Sequence, residues 1–129
     1  MITAEIPFKA FISFDQNRVG FMGPAVFKKK IDEKIKLFGL NPKNWNVAKA
    51  QDGYDVLLNE FVLKCQDNYK IPYIHDELCH CRMVQTQKVL SVIKQDAFSV
   101  TEIGRVTMAG TGCGSCKKDI EELVNYLVK

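Results

Sequence analysis

Apolar side chains recur at every second position from Ile6 through Phe8, Ala10 and Ile12 to Phe14. That period belongs to a half-buried strand, whose successive side chains point to opposite faces. Asp15-Gln16-Asn17-Arg18 supplies turn chemistry, and a short second strand is expected over Val19–Met22. From Gly23-Pro24 the period lengthens. Phe27, Ile31, Lys34-Ile35 and Phe38 fall at helical spacing, with Pro24 suited to the first turn and Gly39 to the stop. Asn41-Pro42 marks a further turn. Tyr54–Cys65 reads either as a helix with Leu57, Leu58, Phe61, Val62 and Cys65 inward or as a buried strand; the pattern leaves both open. Residues 68–72 are the best linker, so residues 1–70 are expected to form a small α+β unit, a candidate partner-docking unit without chemistry of its own.

Beyond Ile74 the pattern becomes helical throughout. Thr86–Gln95 carries Val89, Leu90 and Ile93 on one side. Ser99-Val100-Thr101-Glu102 is a capping box, in which serine accepts from a backbone N–H and glutamate reaches back. It opens a helix expected to end at Gly110. A last helix begins near Cys116, with Ile120, Leu123, Val124 and Leu127 on one stripe. Residues 74–129 are thus expected to form a second, all-α domain.

Composition adds little against this picture: 47% apolar and 26% charged residues are ordinary for a globular chain. No run approaches the roughly 18 apolar residues of a membrane span. Met1–Ala10 lacks the basic and apolar regions of a signal peptide, so a cytoplasmic address is expected. The net charge of +3 comes from residues 1–70, with 11 Lys/Arg against 8 Asp/Glu. Its densest point, Lys28-Lys29-Lys30, reads as a solvated helix start, and too few aromatics interleave with basic residues for a nucleic-acid surface.

The cysteines change the picture. Five stand at positions 65, 79, 81, 113 and 116, and an odd count without a secretory signal argues against a disulfide framework. Four form two tight pairs, Cys79-His80-Cys81 and Cys113-Gly114-Ser115-Cys116, separated by 31 residues. Two helices of about ten residues fill that gap, each roughly 15 Å long at 1.5 Å per residue. Joined by a turn at Asp96–Ser99, they run out and back and return the second pair near the first. Four thiolates suit an iron–sulfur cluster or zinc. Gly110, Gly112 and Gly114 remove Cβ atoms where backbone must wrap closely, and the last helix aims its positive end at the site. Arg82, Lys117 and Lys118 add positive charge. These features favour the cluster, and a C-x-C half is less usual for zinc than C-x₂₋₄-C. A thioredoxin-like use of the C-x-x-C lacks its strand–helix setting.

The remaining candidates carry bland readings. Cys65 reads as a buried small hydrophobe, His75 as a loop residue, and His80 as an outer neighbour of a ligand set already complete. Asp119, Glu121 and Glu122 complement the dipole of the last helix. No catalytic constellation emerges, and no enzyme activity is expected.

The segment Cys79–Val128 resembles the bacterioferritin-associated-ferredoxin-like (BFD-like) [2Fe-2S] domain. That domain also occurs centrally in NifU-type assembly proteins and in nitrite reductase large subunits. The resemblance rests on the C-x-C pair, the 31-residue gap, Val84, and the run from Thr107 through Gly112 to Cys116. It departs at Gln85, where the family often carries a capping Ser, Thr or Asp. The resemblance implies a compact helical fold and a [2Fe-2S] cluster held by Cys79, Cys81, Cys113 and Cys116. One-electron transfer to a redox partner protein is the leading expectation. The alternatives are delivery of a cluster to an acceptor protein, or service as an electron-relay subunit of a larger oxidoreductase. No nucleic-acid or membrane partner is expected.

Overall fold

The computed structural model describes residues 2–7, 9–47, 49–71, 84–107 and 117–128, together with the backbone of 77–79. Strands β1 (Ile2–Ile6), β2 (Ala10–Asp15) and β3 (Arg18–Met22) form an antiparallel sheet in that order. The strand expected over residues 6–14 is therefore two strands. Pro7 fixes its own φ and donates no ladder hydrogen bond, and the chain reverses there, with Lys9 N–H donating to Ile6 O at 3.0 Å. The period of two survives the turn because Ile6 and Ala10 are partners across the ladder, so both face the core. The second turn matches expectation. Gln16 and Asn17 both take positive φ, 50° and 63°, as a two-residue hairpin requires to match the twist of its strands.

Helix α1 (Ala25–Phe38) buries Phe27 and Ile31 against the sheet. It stops at Gly39, whose φ of 91° suits glycine and whose N–H donates to Ile35 O at 2.8 Å. A 3₁₀ turn, Pro42–Asn44, then leads to Trp45, which is buried and donates through Nε1 to Gly39 O at 2.8 Å. Helix α2 (Gly53–Cys65) resolves the ambiguity over 54–65 in favour of the helix; Asp52 caps it by accepting from Asp55 N–H. Its buried residues run unbroken from Val56 to Val62 and cover most of its circumference. A helix enclosed on all sides has no polar stripe, which is why its periodicity was illegible.

That enclosure follows from its place. Leu57, Leu58, Phe61, Val62 and Cys65 pack into the core under the sheet, whereas Val56 and the preceding Ala50 join a second core. The second core is built by α3 (Thr86–Ile93), α4 (Val100–Thr107) and α5 (Lys117–Val128) around Val89, Leu90, Ile93, Ile103, Ile120 and Leu123. The C-terminal region is helical as expected, with one addition, a short antiparallel ladder of β4 (Glu77–Cys79) and β5 (Val84–Gln85). Ser99 accepts from Glu102 N–H at 3.1 Å, but Glu102 reaches one residue beyond the expected position and accepts from Phe98 N–H.

A polar seam joins the two cores. Glu60, buried on α2, lies 3.2 Å from both Lys64 and Lys94 and accepts from the Tyr69 hydroxyl. Burial, then the Glu60 carboxylate, raises Tyr69 well above the ordinary phenol range. Gly53 N–H donates to Asp96 Oδ1 at 2.6 Å, and Ala50 N–H donates to Val128 O at 2.8 Å. Among the described residues no helix is long and apolar enough to cross a membrane.

Candidate metal centre

The two cysteine pairs sit at junctions of the C-terminal frame. Cys79 is the last residue of β4, where its Cα is the register partner of Val84, and an irregularity in the ladder falls between Glu77 and Cys79. Cys81 follows before β5 begins at Val84. Cys113 and Cys116 occupy the connection between Thr107, which closes α4, and Lys117, which opens α5. The four cysteine side chains, Gly110, Gly112, Gly114, Arg82, His75 and His80 lie outside the described residues.

The frame that carries them is described. The ladder flanking the first pair packs on α3, and so do both helices flanking the second pair. Helix α3 is thus the common support. It starts at Thr86 with Gln85 at its cap and no capping bond from the Gln85 side chain; Val84 beside it is buried and anchors the ladder in the helical core. Thr107 Oγ1 donates to Ile103 O at 2.7 Å, a buried bond that closes the last turn of α4 just before the second pair. Both pairs therefore leave elements held by one core.

The charge around the second pair is equally local. Lys117 and Lys118 are exposed in the first turn of α5. Cations at a helix N-terminus are unfavourable by about 0.3–1 kcal/mol each, and Asp119 in the same turn offsets part of this. The residue types fit an anionic iron–sulfur cluster: the sequence offers four cysteines, the Cys₄ set that such a cluster takes.

Residues 78–125 match the family model of the BFD-like [2Fe-2S] binding domain, a span that contains all four cysteines. The C-terminal region is a BFD-like domain. In comparisons with curated proteins and with solved structures the chain matches none. The BFD-like domain is a [2Fe-2S]-binding family, in line with the expectation drawn from the C-x-C and C-x-x-C pairs. Here it shares its core with residues outside the matched span, since Ala50, Val56, Tyr69 and Ile71 pack against α3–α5.

Cys65 stands apart from this chemistry. It is 4% exposed in the N-terminal core, and burial pushes its thiol up to about 11. At pH 8 about one molecule in a thousand then carries the reactive thiolate. Iodoacetamide should leave Cys65 unmodified in the folded protein and alkylate it once urea unfolds the chain, read by peptide mass spectrometry. Burial favours the neutral thiol, so this contribution to stability is present at neutral pH. It is lost as pH rises from about 9, the ordinary thiol value, to about 11.

The seam residues Glu60, Lys94 and Asp96, which tie the BFD-like domain to α2, went unread in the sequence. One signal was present: Glu60 interrupts the apolar run Leu57–Val62, and a carboxylate there must find partners. Its partner Lys94 is 34 residues away, beyond any local pattern.

Proposed function

We propose that this chain is a non-catalytic [2Fe-2S] protein that passes single electrons to or from a partner protein. Cys79, Cys81, Cys113 and Cys116 hold the cluster. A bound [2Fe-2S] centre supplies a site that takes up and returns one electron. The observation that carries the reading is the coincidence of the BFD-like match with four cysteines at two junctions of one helical core. The chain's own contribution is to hold two thiolates at the β4–β5 junction and two between α4 and α5. Lys117 and Lys118 lower the electrostatic cost of added negative charge. The unit before the BFD-like domain is free to select a redox or iron–sulfur acceptor protein. A cytoplasmic address, where thiols stay reduced, suits unpaired cysteines.

Delivery of a cluster is the competing use of the same site. A U-type scaffold domain needs several available cysteines, whereas residues 1–70 contain Cys65 alone, and it is buried. This favours transfer of electrons over assembly.

Purification under anaerobic conditions, with visible absorption, iron and sulfide analysis and low-temperature EPR after reduction, tests the site. The expected result is a coloured protein with two irons and two sulfides per chain, the stoichiometry of a [2Fe-2S] centre. A colourless protein holding stoichiometric zinc and no sulfide would sink the reading. Mixing the holoprotein with an apo-acceptor then separates the two uses. Reversible reduction without loss of iron supports electron transfer, and net movement of iron and sulfide to the acceptor supports delivery.

A further inference from the structure

A cleft of about 300 Å³ opens on the N-terminal unit between α1, the 46–51 segment and α2. That volume holds on the order of ten waters and lies at the small end of ligand pockets. Its lysines are not equivalent. Lys30 is engaged, with its ammonium 3.0 Å from Asp55 and 3.3 Å from Asp52. Asp55 is further occupied by the Gln51 N–H, at 2.9 Å.

Lys34, one turn along the same helix, meets only neutral groups at contact distance among the described residues. Its Nζ donates to Asn46 Oδ1 at 2.8 Å and to Asn46 O at 3.0 Å, and it sits 5.8 Å from the centre of the Phe38 ring. Burial, only partly offset by the more distant Asp55, lowers its pKa. An ammonium has three donors; Asn46 takes two, which leaves one for an incoming acceptor. Lys49, exposed on the opposite wall, adds a second positive charge, against which the lining sets Glu33 as the carboxylate outside the Lys30 pairs. Apolar surface adjoins these charges, since Leu37 is 71% exposed at the rim and Phe38 lines the wall.

We propose that this cleft binds a small organic anion, its carboxylate or phosphate on Lys34 and Lys49 and its apolar body on Leu37 and Phe38. The oxyanion replaces the missing carboxylate partner of Lys34. The apolar body covers Leu37, which is otherwise left in water. This site stands apart from the iron–sulfur reading and uses none of its residues.

Isothermal titration calorimetry on the cluster-loaded chain tests it, with the fluorescence of Trp45, adjacent to Asn46, as a second readout. The probes are benzoate, phenyl phosphate, inorganic phosphate and the neutral isostere benzamide. Benzoate or phenyl phosphate should bind saturably, and whichever is tighter identifies the oxyanion. Benzamide and inorganic phosphate should each bind at least about tenfold more weakly, one lacking the charge and the other the apolar body. Lys34→Met should weaken the better probe at least about tenfold and Lys34→Arg should restore part of the loss. Lys28→Met, an exposed lysine on the same helix, should change nothing. Thermal melts of each variant confirm that the fold is retained. The proposal is overturned if no probe saturates by about 10 mM, roughly the weakest affinity a specific site would show. It is equally overturned if inorganic phosphate matches phenyl phosphate, or if Lys34→Met binds as the parent does.

Discussion

Cys81→Ser and Cys113→Ser should each lose at least about tenfold in cluster occupancy, while Cys65→Ser keeps it in full. The first two replace a soft thiolate by a hydroxyl that stays protonated at neutral pH and binds iron as a poor, hard donor. Perturbing a neighbour of a metal ligand already costs about 10–100-fold in affinity, so removing a ligand costs no less. The two variants sample both junctions, one before β5 and one between α4 and α5. Loss in one alone would restrict the site to one pair. Cys65 lies in the core under the sheet, away from either junction, and serine there touches stability only. The measurements are visible absorbance with iron and sulfide content per chain. Unchanged occupancy in both ligand variants would contradict the four-cysteine assignment. Helical circular dichroism should persist in both, because the second core rests on Val89, Ile93, Ile103, Ile120 and Leu123, none of them in the cysteine connections.

Gly53→Ala should destabilise the whole chain by about 2–4 kcal/mol, a large share of the 5–15 kcal/mol typical of a domain. A Cβ at this position would lie 1.8 Å from Lys94 O and 2.5 Å from Lys94 C. Both are backbone atoms, so no side-chain rotation relieves the overlap. The start of α2 and the end of α3 must separate. That separation also breaks the Gly53 N–H bond to Asp96 and stretches the ion pair between Glu60 and Lys94. Lys94, 11% exposed in its side chain, would then be left with less compensation for its burial. Urea unfolding followed by circular dichroism measures the loss; a midpoint equal to that of the parent would show that the two cores do not depend on this contact. Asp96→Ala, which removes the acceptor without adding bulk, should cost less, about 1–3 kcal/mol.

The local elements were largely legible before folding was considered. The helical period of α1, its glycine stop, the turn over Asp15–Arg18 and the stripe of α5 stand as expected, while Pro24 falls one residue earlier than expected, at the N-cap rather than in the first turn. Each is written within a few residues. The turn at Pro7 is hidden from the alternation for a definite reason: Ile6 and Ala10 share a face across the turn, so the period of two runs through it as if the strand were unbroken. Helix α2 was undecided because burial on nearly all sides erased its polar stripe. The cleft beside Lys34 was unreadable for another reason, since Asn46 and Lys34 meet only when the loop folds back on α1.

What the chain alone settles is the family that residues 78–125 match and the donors that they offer. Donor identity and the spacing within each pair are covalent properties of the chain: four cysteines, two and two, with glycines between them. Only the tertiary structure decided that α2 serves both cores, that Glu60 closes an ion pair with Lys94, and that Gly53 admits the backbone of α3. Periodicity, caps and turns act over a few residues of chain. Steric contact and ion pairing between residues 34 to 43 positions apart depend on how finished elements dock, which no local pattern records.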